Sequence, residues 1–64
     1  MPVIQITISL GRSIEQKREL VNVLTEETAR IMKTDKSKVR ILIYQVSREN
    51  WSNAGVLGID IGIE

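Results

Sequence analysis

The apolar residues of this chain change their spacing twice, and this change limits the fold more than any other feature. In residues 3–10 apolar and polar residues alternate, which predicts a strand with one buried face. In residues 13–33 the apolar residues recur at helical spacing, and residues 39–46 are apolar almost throughout, as in a strand covered on both faces. A strand, a helix and a second strand in this order predict a βαβ unit with parallel strands and a right-handed crossover.

The predicted helix has a recognisable start. Ser13 and Gln16 fit the S-x-x-Q pattern of a capping box, in which the two side chains bond to backbone amides that the first helical turn leaves unpaired. Arg30 and Lys33 fall in the last turn, where positive charge complements the helix dipole. We therefore expect the helix to begin near Ser13 and residues 34–37 to form the turn before the second strand.

The carboxyl-terminal residues 55–64 alternate again, with Ile59, Ile61 and Ile63 on one face. This pattern predicts an arm, and the glycines within it allow a hairpin or a close approach of the backbone. A two-stranded unit leaves open sheet edges and one uncovered sheet face. We therefore expect the arm to pair with a neighbouring subunit.

The chain is short for a stable domain. Residues 1–64 form one domain at most, and a chain of this length buries only about 60% of the surface that it exposes when unfolded. Small domains usually add disulfides, a structural metal or oligomerisation. The sequence contains no cysteine and no histidine, so oligomerisation remains. We expect an α+β fold, a short βαβ unit with a carboxyl-terminal hairpin or arm, assembled as an oligomer.

The composition argues against several classes of function. The net charge is +1 and no aromatic platform accompanies the basic residues, so nucleic-acid binding is not expected. Without histidine or cysteine there is no catalytic triad, thiol nucleophile or zinc site, and no glycine-rich phosphate loop is present. We find no secretion signal and no apolar run of membrane-spanning length, so we expect no membrane association and a cytoplasmic protein.

Three polar or aromatic residues attached to the predicted strands are candidates for a site. Arg40 lies within an apolar run, where its side chain must reach solvent or bind an anion, although an intersubunit salt bridge also explains it. Arg12 lies near the helix start, where anions are held, or it is a solvated loop residue. Trp51 is the sole tryptophan, and it either anchors a core or interface or forms the wall of a site.

Pro2 is the candidate with the clearest chemistry. A small residue after the initiator methionine normally permits removal of Met1, and the product would begin with a secondary amine. An α-amino group has a pKa near 8, and apolar surroundings and nearby arginines lower that pKa. The amine could then be neutral, and act as a base, at physiological pH.

These residues together resemble a known family. Pro2, the LGRSIEQK stretch that holds Arg12, the VRILI stretch that holds Arg40, and Trp51 ahead of NAG are similar to the 4-oxalocrotonate tautomerase family, in this order and over the whole chain. The resemblance implies the βαβ fold, a homohexamer built as a trimer of dimers, and an isomerase that needs no cofactor and no metal.

The resemblance also implies a role for each residue. Pro2 would be the general base that moves a proton from the oxygen side of a dienol to a carbon of the same substrate. Arg12 would bind the distal carboxylate, and Arg40, from an adjacent subunit, would bind the 2-hydroxy or 2-keto oxygen with its neighbouring carboxylate. Trp51 takes the place of the family's phenylalanine, which forms the wall of the pocket and keeps the proline dry.

Three functions follow as alternatives. The first is the tautomerisation of 2-hydroxymuconate-like dienol diacids to 2-oxo-3-enoates, a step in the degradation of aromatic compounds. The second uses the same residues for hydration, as in the related haloacrylate dehalogenases. These enzymes also need a carboxylate to activate water, and no acidic residue of this sequence matches such a position, so this alternative ranks below the first. The third is a catalytically idle assembly module in which Arg12 and Arg40 make only intersubunit salt bridges. Because Trp51 is bulkier than phenylalanine, the pocket could favour a different or smaller diacid.

Overall fold

The computed structural model describes residues 1–62 and confirms the predicted βαβ unit. Strand β1 spans Val3–Ser9, helix α1 spans Ile14–Met32 and strand β2 spans Arg40–Val46. The two strands are parallel, with Val3 opposite Arg40 at one end and Ser9 opposite Val46 at the other. Each observed element starts or ends within about one residue of the predicted range, because apolar periodicity sets its extent.

Helix α1 begins as the sequence predicts. The Ser13 Oγ accepts a hydrogen bond from the Gln16 amide at 3.1 Å, and the Gln16 Oε1 accepts one from the Ser13 amide at 2.9 Å. Both halves of the capping box are therefore present. Lys33 caps the carboxyl end of the helix and has a left-handed backbone with φ of 53°.

The sheet has two unlike faces. The face toward α1 carries half-buried side chains from both strands, and these are Ile4, Ile6, Ile8, Ile41 and Ile43. We call the opposite side the outer face, and its exposed residues are Val3, Gln5, Thr7, Leu42 and Tyr44. Leu42 is 44% exposed and Tyr44 is 49% exposed, so a single chain covers β2 on one face only. The apolar run of β2 indicates a strand covered on both faces, and no element within residues 1–62 supplies the second cover.

The carboxyl-terminal segment differs from the predicted arm. Strands β3, Ser52–Asn53, and β4, Val56–Leu57, form an antiparallel hairpin, and helix α2 spans Gly58–Ile61. The turn residues Ala54 and Gly55 both have positive φ, as a two-residue type I′ turn requires. The predicted hairpin is thus confirmed, but it lies before the alternating residues Ile59 and Ile61 rather than among them.

The prediction that Ile59 and Ile61 belong to an extended arm is wrong, because both lie in α2. The reason lies at Gly58, whose amide donates a hydrogen bond of 2.6 Å to the Trp51 carbonyl and so draws the chain back against the loop after β2. A single helical turn then follows. Ile63 lies outside the described residues.

A single chain has almost no interior. Among residues 1–62, Val39 is the only buried hydrophobic residue, and no side chain is fully buried. The radius of gyration is 14.8 Å, against about 11 Å for a compact domain of this length. The chain measures 43 × 24 × 13 Å along its principal axes. It therefore presents its apolar side chains on open faces rather than around a closed core.

Two further properties concern residues 1–62. No helix in this range combines the length and apolar character that crossing a membrane requires. Within the same range, no three Asp, Glu, His or Cys side chains come together as a set that could hold a metal ion.

Candidate active site

Pro2 lies at the edge of the sheet where both parallel strands begin. Its carbonyl oxygen accepts a hydrogen bond of 3.0 Å from the Arg40 amide, which extends the strand pairing by one residue beyond Val3. A proline fits this position because its nitrogen has no hydrogen to donate. Pro2 is half-buried, whereas Met1 is 79% exposed. With Met1 attached, the Pro2 nitrogen belongs to an amide and is not basic.

Arg40 begins β2, and the turn before the strand orients its side chain. One guanidinium nitrogen, Nη1, donates a hydrogen bond of 2.8 Å to the Ser37 carbonyl. Ser37 is held in turn by Asp35, whose carboxylate accepts a bond of 2.8 Å from the Ser37 amide. This hydrogen bond from the backbone is the main reason why the pKa of Asp35 lies below its usual value. A guanidinium has five N–H donors, so Arg40 keeps donors for a ligand.

Arg12 lies at the opposite end of the sheet, between the end of β1 and the start of α1. The Leu10 amide donates to the Val46 carbonyl at 3.3 Å, which is the last bond between the two strands. Gly11 then turns the chain with φ of 110°, a value that residues with side chains rarely adopt. Ser13 follows as the helix cap. Arg12 is therefore held on a short connection between two fixed points, with its side chain exposed.

Trp51 lies on the same end of the molecule, after a 3₁₀ turn that spans Arg48–Asn50. Its side chain is half-buried, and its carbonyl accepts the hydrogen bond from Gly58. This bond closes the base of the β3–β4 hairpin. Trp51 itself lines neither of the cavities described next.

Two cavities occupy this end of the chain. The first, which we call the Arg12 cavity, has a volume of about 290 Å³, and it is lined by Ser9, Leu10, Gly11, Arg12 and Arg48. The second, the Glu49 cavity, has a volume of about 320 Å³ and shares three of those residues. It is lined by Leu10, Gly11, Ser47, Arg48, Glu49 and Ile59. Arg48 thus contributes to both cavities.

The sequence analysis did not identify Arg48 or Glu49 as site residues. A signal for them exists, because Arg48 follows the end of β2 closely, just as Arg12 follows the end of β1. The carboxyl ends of parallel strands meet at one edge of a sheet, where ligands commonly bind. Charged residues that follow both strands are therefore expected to lie near each other.

The four predicted site residues do not meet within one chain. Pro2 and Arg40 lie where the strands begin, and Arg12 and Trp51 lie beyond their ends. Seven residues of β1 separate the two ends, a span of roughly 20 Å. A site that contains all four residues therefore needs at least two chains.

Comparison with known proteins shows the family. The family model described as "Tautomerase enzyme" matches residues 2–58. A 2-hydroxymuconate tautomerase from Comamonas testosteroni is 36% identical over 62 residues, which cover 97% of this chain and 98% of the relative. The chain belongs to the 4-oxalocrotonate tautomerase family. The family model and this relative support an isomerase with a tautomerase-type activity.

Solved structures of the 4-oxalocrotonate tautomerase family share the fold. A crystal structure of one homologue is 42% identical, with a TM-score of 0.89 over 94% of this chain and 95% of that one. A 4-oxalocrotonate tautomerase isozyme from Methylibium petroleiphilum is 36% identical, with a TM-score of 0.90 over 95% of both chains. A heterohexameric 4-oxalocrotonate tautomerase from Chloroflexus aurantiacus is 31% identical, with a TM-score of 0.88 over 95% of this chain and 98% of that one.

Proposed function

We propose that this tautomerase converts 2-hydroxymuconate-like dienol diacids to 2-oxo-3-enoates, with Pro2 as the general base after removal of Met1. The observation that carries the proposal is the 3.0 Å hydrogen bond between the Pro2 carbonyl and the Arg40 amide. It fixes a half-buried proline at the open end of the sheet. The arginine that acts beside it is Arg40 of an adjacent subunit in this proposal, and that side chain keeps free N–H donors. The similarity to a 2-hydroxymuconate tautomerase over nearly the whole chain supports the same substrate class.

The reaction needs one base and one cation. The neutral Pro2 amine takes the proton from the 2-hydroxyl group, the oxygen becomes a carbonyl as the double bonds shift, and the same proton is returned at carbon 5. The mechanism needs this amine to be neutral at the working pH, which partial burial and the positive charge of the arginines in a shared site both favour. A base with a pKa near the working pH is the most effective one.

The two arginines bind opposite ends of the substrate in this proposal. Arg40 donates to the 2-oxygen and the carboxylate next to it, where negative charge develops during the transfer. Arg12 binds the carboxylate at the far end of the substrate through the paired N–H groups of its guanidinium. Trp51 excludes water from the proline nitrogen. No step in this scheme uses a metal ion or a cofactor.

The site is shared between chains in this proposal. Because about 20 Å of β1 separates Pro2 from Arg12 in one chain, the Pro2 of one subunit works with the Arg12 of another. The outer face, with Leu42 and Tyr44 exposed, offers the apolar surface for such an assembly. We propose a homohexamer, built as a trimer of dimers, as the functional form.

One observation favours a second candidate function. Hydration of a haloacrylate needs a carboxylate that activates water, and Glu49 lines a cavity beside the Arg12 cavity. This candidate predicts halide release from 3-chloroacrylate and its loss in the Glu49→Gln variant. The tautomerase proposal predicts that this variant keeps its ketonisation rate.

The deciding experiment follows the ketonisation of 2-hydroxymuconate by ultraviolet absorbance. We expect turnover by the wild-type chain, a large fall in kcat in Pro2→Ala and Arg40→Ala, and a raised KM in Arg12→Ala. Arg18→Ala, which changes an exposed residue on α1, is the matched control and should behave as wild type. Absence of turnover with this substrate and with 3-chloroacrylate would instead favour the idle assembly module.

A further inference from the structure

The Arg12 cavity is lined by two arginines and by no acidic residue. Its lining consists of Ser9, Leu10 and Gly11 together with Arg12 and Arg48, so its charged side chains are both positive. The two arginines reach the cavity from different connections, one after β1 and one after β2. A cavity of about 290 Å³ has room for a carboxylate and several carbon atoms.

The backbone of Arg48 is held firmly in place. Its 3₁₀ turn is closed by the Asn50 amide, which donates to the Ser47 carbonyl at 2.9 Å. Gly58 packs directly against it, since a Cβ atom at Gly58 would lie 3.1 Å from the Arg48 carbonyl oxygen and 3.3 Å from the Arg48 Cβ. Gly58 is in turn bonded to the Trp51 carbonyl. Arg48 is therefore presented by a packed hairpin base rather than by a free loop.

The two positive charges are not neutralised within the described part of the chain. The ion pairs between residues 1 and 62 join Arg30 to Glu27 and Lys36 to Glu26, and neither Arg12 nor Arg48 takes part in one. The acidic residues nearest in sequence are Glu15 for Arg12 and Glu49 for Arg48, and neither lines this cavity. Glu49 lines the neighbouring cavity instead. The cavity therefore offers an anion the positive charge and N–H donors of two arginines, with no acidic side chain in its lining to offset them.

We propose that Arg48 is a specificity-determining residue that binds, together with Arg12, the far carboxylate of a dicarboxylate substrate. Guanidinium groups suit this task because their fixed N–H forks match the geometry of a carboxylate. Two of them on one carboxylate favour a diacid strongly over the corresponding monoacid. The inference rests on the proposed function for the reaction. It adds Arg48 as the residue that selects substrates with a second carboxylate.

The test compares two non-reacting ligands with one carbon skeleton. Muconate in its trans,trans form is a six-carbon diene with a carboxylate at each end, and sorbate has a methyl group in place of one carboxylate. Binding to the assembled protein is measured by titration calorimetry for wild type, Arg48→Gln, Arg48→Lys and the control Arg18→Gln. We expect Arg48→Gln to weaken muconate binding on the order of ten- to hundredfold and sorbate binding by less than twofold. Arg48→Lys should recover part of the loss, because it keeps the charge without the fork.

The kinetic readout separates this inference from the proposed function. With 2-hydroxymuconate, Arg48→Gln should raise KM and leave kcat near its wild-type value, because the carboxylate lies far from the reacting atoms. If the wild-type chain turns over the substrate but Arg48→Gln binds muconate normally, the inference is overturned and the function stands. If the wild-type chain binds muconate through Arg48 but does not turn over the substrate, the function fails and the inference stands. An equal loss of muconate and sorbate binding, or a change of oligomeric state on gel filtration, assigns Arg48 a structural role and overturns the inference.

Discussion

The carbonyl oxygen of Pro2 accepts a hydrogen bond of 3.0 Å from the backbone amide of Arg40. The contact therefore positions the proposed base through backbone atoms alone and does not involve the Arg40 side chain. Replacement of the Arg40 side chain leaves the bond in place. Mutations at position 40 can consequently test the chemistry of the guanidinium separately from the position of the proline.

Arg40→Ala should lower kcat by about a hundredfold, because it removes the donors that stabilise charge on the 2-oxygen. The melting temperature should change little, since the side chain is exposed and the backbone bond to Pro2 remains. Steady-state ketonisation of 2-hydroxymuconate and a thermal melt measure the two quantities. A large fall in stability together with an unchanged kcat would contradict the role of Arg40.

Molecules that retain Met1 should be inactive, because acylation turns the Pro2 nitrogen into an amide without a basic lone pair. The fraction of chains that retain Met1 is measured by intact mass, and activity should rise in proportion to the fraction without it. Treatment of a Met1-containing preparation with methionine aminopeptidase should restore turnover. Full activity in a sample whose mass shows Met1 throughout would overturn the proline mechanism.

The sequence predicts the βαβ unit well because apolar periodicity and the capping box are local signals. Ser13 and Gln16 determine the helix start through bonds that span three residues, and the structure contains both bonds. The carboxyl-terminal segment is harder to predict, since its conformation depends on the contact of Gly58 with Arg48 and Trp51, which are distant in the chain. Alternation at Ile59 and Ile61 carries no information about such a contact.

For the candidate site too, local sequence predicts some features, and others depend on contacts between distant residues. The sequence predicts Pro2, Arg12, Arg40 and Trp51 as site residues, a prediction that mutagenesis has still to test. The spacing of residues along a chain cannot show that the sheet separates them into two pairs. That separation follows from the parallel pairing of β1 with β2, which places the starts of both strands at one end. The role proposed for Arg48 also needs the fold, because its proximity to Arg12 arises only where both strands end.

Asp35→Ala should lower the melting temperature at neutral pH and have no effect at strongly acidic pH. The carboxylate accepts the Ser37 amide, so the folded state lowers the pKa of Asp35. Stability from a lowered carboxyl pKa is present above the pKa of the unfolded chain, about 4, and is lost as the pH falls through the folded value. Melts of both proteins between pH 2 and about pH 7 measure the difference, with Asp35→Asn as the control that keeps an acceptor oxygen. A difference that persists unchanged at the lowest pH would contradict this account.

Gly58→Ala should destabilise the assembled protein by about 1 kcal/mol, because the new methyl group meets backbone atoms that cannot turn away. The Arg48 carbonyl oxygen would lie 3.1 Å from it and the Arg48 Cα 3.4 Å from it. We also expect a raised KM for diacids as Arg48 is displaced. Urea unfolding and steady-state kinetics test both effects, with Asp60→Ala on the exposed side of α2 as the control. Unchanged stability and unchanged KM would show that the hairpin base is not closely packed against Arg48.

Pro2→Ala and Arg12→Ala variants should complement each other when they are mixed, unfolded and reassembled. The assay uses a substrate concentration far below the raised KM of Arg12→Ala, so that each variant alone is nearly inactive. Each variant alone lacks one residue of every site, and the two missing residues lie roughly 20 Å apart within a chain. If one site takes Pro2 from one subunit and Arg12 from another, a mixed oligomer contains some sites with both residues intact. Random mixing of equal amounts leaves both residues intact in about a quarter of the sites. Ketonisation should therefore recover to at most about a quarter of the wild-type rate. The control mixes Pro2→Ala with the double variant Pro2→Ala/Arg12→Ala, which supplies no intact proline and should recover nothing. A mixture of the two single variants that stays as inactive as its components would place both residues of a working site in the same chain.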